Sequence, residues 1–272
     1  MNKKYILSAI LIFTAISMLA PFLIMVMVSL SPENQLSFTD VSGMVQHLTL
    51  SNYTHVTNTI PVGRYFINSL VVSVLTTIGQ IVVSTLAGYA FARITFKGRN
   101  IIFFIILITM FIPPQVNIIP LFFLMRELHL VDTYPALILP GIFGGFGVFM
   151  MRQHFLSFPK ELEDASIIDG CNKLQMFWKI ACPLALPAIT TLAIFTFISS
   201  WNSFVWPLIV TNSEAMRTLP LGLAVFKGSY REVIEWGDLL ACSLICTLPA
   251  VIIFLLGKKY IINDMMKGGV KG

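Results

Sequence analysis

Six long runs of this 272-residue chain contain no Asp, Glu, Lys or Arg: Tyr5 to Leu30, Tyr65 to Ala92, Ile101 to Met125, Thr133 to Met151, Ile180 to Ser213 and Leu239 to Gly257. A bilayer core about 30 Å thick takes about 20 apolar residues as a helix, so the runs read as six transmembrane helices. Composition agrees, with 56% hydrophobic and 11% charged residues and a mean hydropathy of +0.83. Soluble domains carry about 25% charged residues. Twenty-two Phe and 13 Met are more than one aqueous core of this length could bury. An all-α membrane protein follows, and a cytosolic enzyme, a disordered tail and a nucleic-acid reader are excluded.

The first run follows Lys3 and Lys4 and has small residues near Ser17 and Ala20, as a signal peptide would. It continues through Pro21 to Leu30, which is span length, and so reads as a retained helix. The fifth run exceeds one span, and Pro183 and Pro187 put the start of its membrane helix near Ala188. With the N-terminus inside, thirteen Lys and Arg fall on internal segments and only five (Arg64, Arg126, Arg217, Lys227, Arg231) outside. The positive-inside rule then places both termini and the loops 93–100 and 152–187 in the cytoplasm, with 31–64, 126–132 and 214–238 facing out.

Motifs of soluble chemistry are missing, and neither a catalytic residue, a metal ligand set nor a cofactor site is expected in this chain. Gly257-Lys258 lacks the upstream glycine of a P-loop and sits at a helix end, and no H-E-x-x-H occurs. Cys171 and Cys182 fall in the reducing loop; Cys242 and Cys246 share a helix face but have no His or carboxylate with them, so all four read as structural thiols. His47, His55, His129 and His154 are scattered over loops and a helix end and read as solvated. Gly141, Gly144, Gly145 and Gly147 lie inside the fourth run, where small residues let helices approach closely.

The absence of ionisable groups at depth leaves nothing to relay a proton. Instead the runs hold prolines and neutral polar groups: Pro113, Pro114, Gln115, Asn117 and Pro120 in the third, Pro140 in the fourth, Ser199, Ser200, Asn202, Ser203 and Pro207 in the fifth. Proline frees backbone groups that need partners in a neighbouring helix or a watery cavity. A polar path is one reading, with Gln115, Asn117, Ser200 and Asn202 as its candidate lining; interhelical hydrogen bonding alone is the other.

Between Ser157 and Pro187 the pattern changes. Pro159 suits a first helical position, Glu161, Glu163 and Asp164 favour the positive end of a helix dipole, and Gly170 suits a left-handed close. Asn172 and Gln175 then resemble a capping box, followed by Leu174, Phe177, Trp178 and Ala181 at i, i+3, i+4 and i+7. Two short helices in tandem are predicted. An acidic first turn suits anionic lipid poorly and a protein groove better.

The run from Pro159 to Gly170, with Phe177, Ile180 and Pro183 after it, resembles the EAA loop of binding-protein-dependent ABC importer permeases. Asp164-Ala165-Ser166 stands where the family has Glu-Ala-Ala, and Cys171 stands where a small residue such as Ala is usual. Asn68-Ser69, Ala87 to Arg93, Ile112 to Gln115, Trp201-Asn202, Trp206-Pro207, Thr218 to Gly222, Trp236-Gly237 and Gly269 to Gly272 are similar to the carbohydrate-uptake branch, the maltose-type second permease. The match runs from about Tyr65 to the end.

The resemblance implies the type I ABC importer permease fold and a bacterial or archaeal cytoplasmic membrane. It divides the chain into an N-terminal helix (about 8–30) and external loop over 1–64, a five-helix transmembrane domain over 65–257 with a coupling loop at 157–187, and a cytoplasmic tail over 258–272. It implies four kinds of partner: a second permease subunit, two copies of a cytoplasmic ATPase that hydrolyses the ATP, an external sugar-binding protein, and the lipid bilayer. Glu161, Leu162, Glu163, Asp164, Ala165, Ser166, Asp169, Gly170, Phe177 and Pro183 become the ATPase-coupling residues. Within these, Asp164, Ala165 and Gly170 would form the contact core, and Leu162, Phe177 and Pro183 would brace it. The cargo would be a mono- or oligosaccharide; a non-sugar such as glycerol phosphate, or a secondary transporter without ATP, are the alternatives.

Overall fold

The computed structural model describes residues 3–32, 48–159, 161–168, 170–228 and 235–269. All regular structure among them is helical. Three helices are long and apolar enough to cross a membrane alone: α1 (Lys3–Ser29), α3 (Val62–Arg93) and α13 (Trp236–Gly269), with α2 (Ser51–Thr59) lying between the first two. Three bent pairs complete a set of six when each pair counts as one span. They are α4 (Arg99–Thr109) with α5 (Ile118–Glu127), α6 (Tyr134–Ile142) with α7 (Gly145–Leu156), and α9 (Lys173–Leu184) with α10 (Leu186–Trp201). Shorter helices are α8 (Glu161–Ile168), α11 (Val205–Val210) and α12 (Leu219–Gly228).

The bends add detail that the six-span reading left open. The third run turns through 94° between α4 and α5, where Pro113 is extended and Pro114, which has no N–H to give, opens a 3-10 turn. The fourth bends by 40° at Phe143 and Gly144, both extended. The fifth bends by 73° at Ala185, and α10 begins two residues before the expected Ala188, with Pro187 in its first turn. The sixth helix runs on past Gly257 to Gly269, so the Gly257-Lys258 pair lies inside a helix and not at its end.

The chain forms two compact units, 1–66 with 219–249, and 67–218 with 250–272. In the first, α1 is exposed along almost its whole length, as a lipid-facing helix would be, and is held at its end. There the buried Asn52 of α2 donates through Nδ2 to the carbonyls of Ser29 and Ser31, each at 2.9 Å. In the second unit, α3 packs against α6 and α7 through small residues. A Cβ at Gly141 would lie 2.6 Å from Thr76, one at Gly144 2.5 Å from Gln80, and one at Gly147 would meet Ser84. The contacted residues sit at i, i+4 and i+8 of α3, and Gly88 of α3 reciprocates against Met151. Gly145 faces α4 instead, against the Ile106 carbonyl.

Of the three described histidines, His129 is exposed as expected, while His55 and His154 have specific neighbours. His55 contacts the carboxylate of Asp238. His154 is half-buried, edge-on to Phe158 at 5.2 Å, whereas His129 is exposed at a positive φ of 55°. His47 lies outside the described residues. All four cysteines are free thiols.

Candidate functional site

Two features of the second unit stand out, a two-helix knob and a cavity, and α3 joins them. The knob is built by local rules. Glu161, Glu163 and Asp164 occupy the first turn of α8, where carboxylates oppose the positive end of the helix dipole. At the other end Gly170 takes φ +75°; its N–H donates to Ile167 O at 3.0 Å, and the Cys171 N–H to Ser166 O at 2.9 Å. That pair of bonds is the Schellman close, and it reverses the chain into α9. Asn172 and Gln175 complete a reciprocal capping box, each side chain accepting from the other's N–H at 2.8 and 2.9 Å. Lys160 and Asp169 lie outside the described residues. Pro159 precedes the helix and is not its first residue.

Phe177–Ala181 is wound as a π-helix, which changes the register of α9. Of the four residues expected to form one apolar face, Phe177 and Ala181 are buried and Leu174 and Trp178 are exposed. Phe177 packs at 5.1 Å on Tyr89 of α3, which meets Phe155 of α7 edge-on at 5.4 Å, and Ala181, Ala185, Ala188 and Leu192 close the cluster. Of the three expected braces, Phe177 is buried while Leu162 and Pro183 are exposed. On α8, Ser166 is buried and its hydroxyl donates to the Glu163 carbonyl, whereas Glu161, Asp164, Ala165, Ile167 and Ile168 are exposed, Ile168 by 85%. The outward face is thus acidic at one end and apolar at the other.

Arg93, the last residue of α3 and of the Ala87 to Arg93 motif, holds this knob in place, a role the motif alone does not assign. Its side chain is 9% exposed. Nε and Nη2 donate to Phe155 O at 2.9 and 2.7 Å, Nη2 also donates to Phe158 O, and Nη1 lies 3.0 Å from Glu163 Oε1. One guanidinium therefore satisfies carbonyls at the C-terminus of α7 and pairs with α8, a fork that Lys lacks.

The cavity has a volume of about 750 Å³, within the size range of small-molecule sites. Ser69, Val72, Thr76 and Gln80 of α3 line one side, Gln115, Asn117 and the 94° bend another, the α6–α7 bend a third, and Thr196, Ser199, Ser200 and the 203–207 break a fourth. Among the described residues, its lining includes no Asp, Glu, Lys, Arg or His. Irregular backbone at membrane depth is tolerated where it faces such a cavity. Gln115, Asn117 and Ser200, three of the four candidate path residues, line it together. Asn202 is not part of the lining; it is exposed at the end of α10. Ser69, Thr76 and Gln80 were missed, although Ser69, Ser73, Thr76, Gln80 and Ser84 recur at helical spacing as a polar stripe in an otherwise apolar run.

Other motif residues turn out to be pins. Asn68 donates through Nδ2 to Ala215 O and Arg217 O at 2.9 and 2.8 Å and accepts from the Tyr134 hydroxyl at 2.6 Å. The Trp206 indole donates to Ala136 O at 2.9 Å.

A chain with paired bends around an uncharged membrane cavity and a helical knob beyond the spans has the architecture of a multi-pass transport subunit. Residues 80–266 match the family described as binding-protein-dependent transport system inner membrane component, and the chain belongs to that family. It is 38% identical over 263 residues to the arabinooligosaccharides transport system permease protein AraQ of Halalkalibacterium halodurans, covering 96% of this chain and 94% of that one. It is 34% identical over 276 residues to the trehalose/maltose transport system permease protein MalG of Thermococcus litoralis, covering 99% and 98%. In fold it is similar to a chain of a crystallised bacterial ABC transporter involved in import of the acidic polysaccharide alginate, with a TM-score of 0.81, 24% identity and coverage of 94% and 95%.

Proposed function

We propose that this chain is a permease subunit of an ATP-driven importer and forms half of the path for a neutral sugar delivered by an external binding protein. The relatives' sugar cargoes support the substrate class. The uncharged, hydroxyl- and amide-bearing cavity supports a neutral sugar over an anionic one, because a desolvated anion would need cationic partners. A second permease would supply the other wall. In this reading the membrane is a bacterial or archaeal cytoplasmic membrane, and the excess of Lys and Arg on the knob's side supports a cytoplasmic position for the knob and both termini.

The observation that carries the proposal is the junction at Arg93. The exposed face of α8, with Asp164, Ala165 and Ile168, would seat in a cleft of one of two ATPase subunits. As the ATPases close on ATP, a movement of α8 would pass through Glu163 and Arg93 into α3, whose other end lines the cavity. Coupling then needs no ionisable group in the membrane.

Purification of the chain with its neighbours, followed by ATPase assays with binding protein and a cargo panel, tests this. Co-elution of an ATPase and a second permease, with hydrolysis stimulated by neutral oligosaccharides, is the expected result. Stimulation only by uronates or glycerol phosphate would refute the neutral cargo. Uptake driven by an ion gradient with no ATPase present would refute the whole reading.

A further inference from the structure

Three side chains that the transport reading does not use converge in the first unit. Nδ1 of His55 contacts a carboxylate oxygen of Asp238 and lies 3.6 Å from Oε2 of Glu235. One donor atom from each residue lies within 4.8 Å of the other two. The Asp238 side chain is 4% exposed, His55 44% and Glu235 33%, so the group has a buried floor and an open mouth.

We propose that His55, Glu235 and Asp238 form a binding site for a divalent transition cation of the zinc class. The donor set is one imidazole nitrogen and two carboxylate oxygens, which suits zinc; calcium takes six to eight oxygens, and magnesium keeps an octahedron of oxygens and water. Zinc bonds of about 2.0 to 2.2 Å set tetrahedral edges near 3.3 Å, so the His55–Glu235 spacing of 3.6 Å is already close, whereas the His55–Asp238 contact has to open by about 1 Å on binding. Water completes the fourth position at the open mouth.

The scaffold for this site is built independently of its ligands. Glu235 directly precedes α13 and Asp238 lies in its first turn, so both carboxylates sit at the head of that helix. His55 follows three residues after Asn52, and a Cβ at Gly237 would lie 2.5 Å from Asn52 Nδ2, so α2 and α13 are held at close approach beside the donors. Bound metal would staple α2 to the head of α13.

The test uses the whole transporter, purified without a polyhistidine tag, stripped with chelator, dialysed and titrated with Zn²⁺ by calorimetry, with metal content read by mass spectrometry. Wild type should take up about one Zn²⁺ per chain, uncontested by excess Ca²⁺. His55→Ala, at an exposed ring whose loss the fold tolerates, and Asp238→Asn should each weaken binding at least about tenfold, since even the loss of an outer-shell partner costs that much. Uptake below about a tenth of an equivalent by wild type would show an ion pair only and overturn the site. Unchanged uptake by the His55→Ala/Asp238→Asn double variant would overturn it equally.

Discussion

Asp132 shows how a single residue outside the spans can fasten two loops. It adopts a positive φ of 64°, its N–H donates to Val210 O at 2.8 Å, and its Oδ1 accepts from the N–H groups of Asn212 and Ser213 at 2.9 and 3.0 Å. Burial pushes its carboxyl up, but the hydrogen bonds from Ser213, side chain and backbone, and from Asn212 together hold it below the usual carboxylate value. A lowered folded value means stability that is present above the unfolded pKa of about 3.9 and is lost as pH falls through the folded one. Asp132→Asn should therefore melt below wild type at pH 7, and the gap should close below about pH 4. A gap of constant size down to pH 2.5, by differential scanning fluorimetry in detergent, would contradict this role. Arg93 works at the same scale. Arg93→Lys keeps the charge and loses the fork, and hydrogen bonds to a charged group are worth about 1.5 to 3 kcal/mol. Basal ATP hydrolysis by the assembled complex should persist in Arg93→Lys while its stimulation by loaded binding protein falls about tenfold. Full stimulation would remove Arg93 from the coupling path. Its charge was visible in the sequence, but its partners Phe155, Phe158 and Glu163 lie more than 60 positions away and no local pattern names them.

The elements divide between those legible in the sequence and those not, for a physical reason. The knob was legible because caps are local: the Asn172–Gln175 box and the left-handed Gly170 are written within a few residues of where they act. The third run shows its prolines in the sequence but not their effect in degrees: hydropathy measures transfer into lipid and carries no direction, so the 94° turn at Pro113 and Pro114 is seen only in the structure. The α9 face differs for a related cause, since a π-turn at Phe177–Ala181 breaks the 3.6-residue period on which one face for Leu174, Phe177, Trp178 and Ala181 is drawn. A Cβ at Gly170 would have nothing within 4 Å, so a side chain there meets no steric wall and its cost is conformational alone. That cost is about 1 to 2 kcal/mol, levied on the Schellman close. Gly170→Val should leave the six spans inserted and the complex assembled but reorient α8, seen as loss of cross-linking between cysteines at Ala165 and the ATPase cleft. Undiminished cross-linking would show that α8 does not depend on this close.

For the whole molecule the legible property was the charge asymmetry, because orientation depends on where Lys and Arg fall and not on how helices pack. With the four native cysteines removed, a cysteine at Ser51 should react with an impermeant reagent added outside, and one at Gly98 should not; labelling at Gly98 would invert the topology. The cavity was half legible. Its amides at Gln115 and Asn117 stood out beside prolines, whereas the stripe on α3 was diluted in a run of 32 helical residues. The central claim is that α8, Arg93 and α3 connect an ATPase to a sugar path. It is tested most directly in nanodiscs holding the full transporter, by measuring ATP hydrolysis with and without sugar-loaded binding protein for wild type and for Gly170→Val. The account predicts strong stimulation of wild type and none of Gly170→Val, with the ATPase subunits retained in both. Equal stimulation in the two would contradict it.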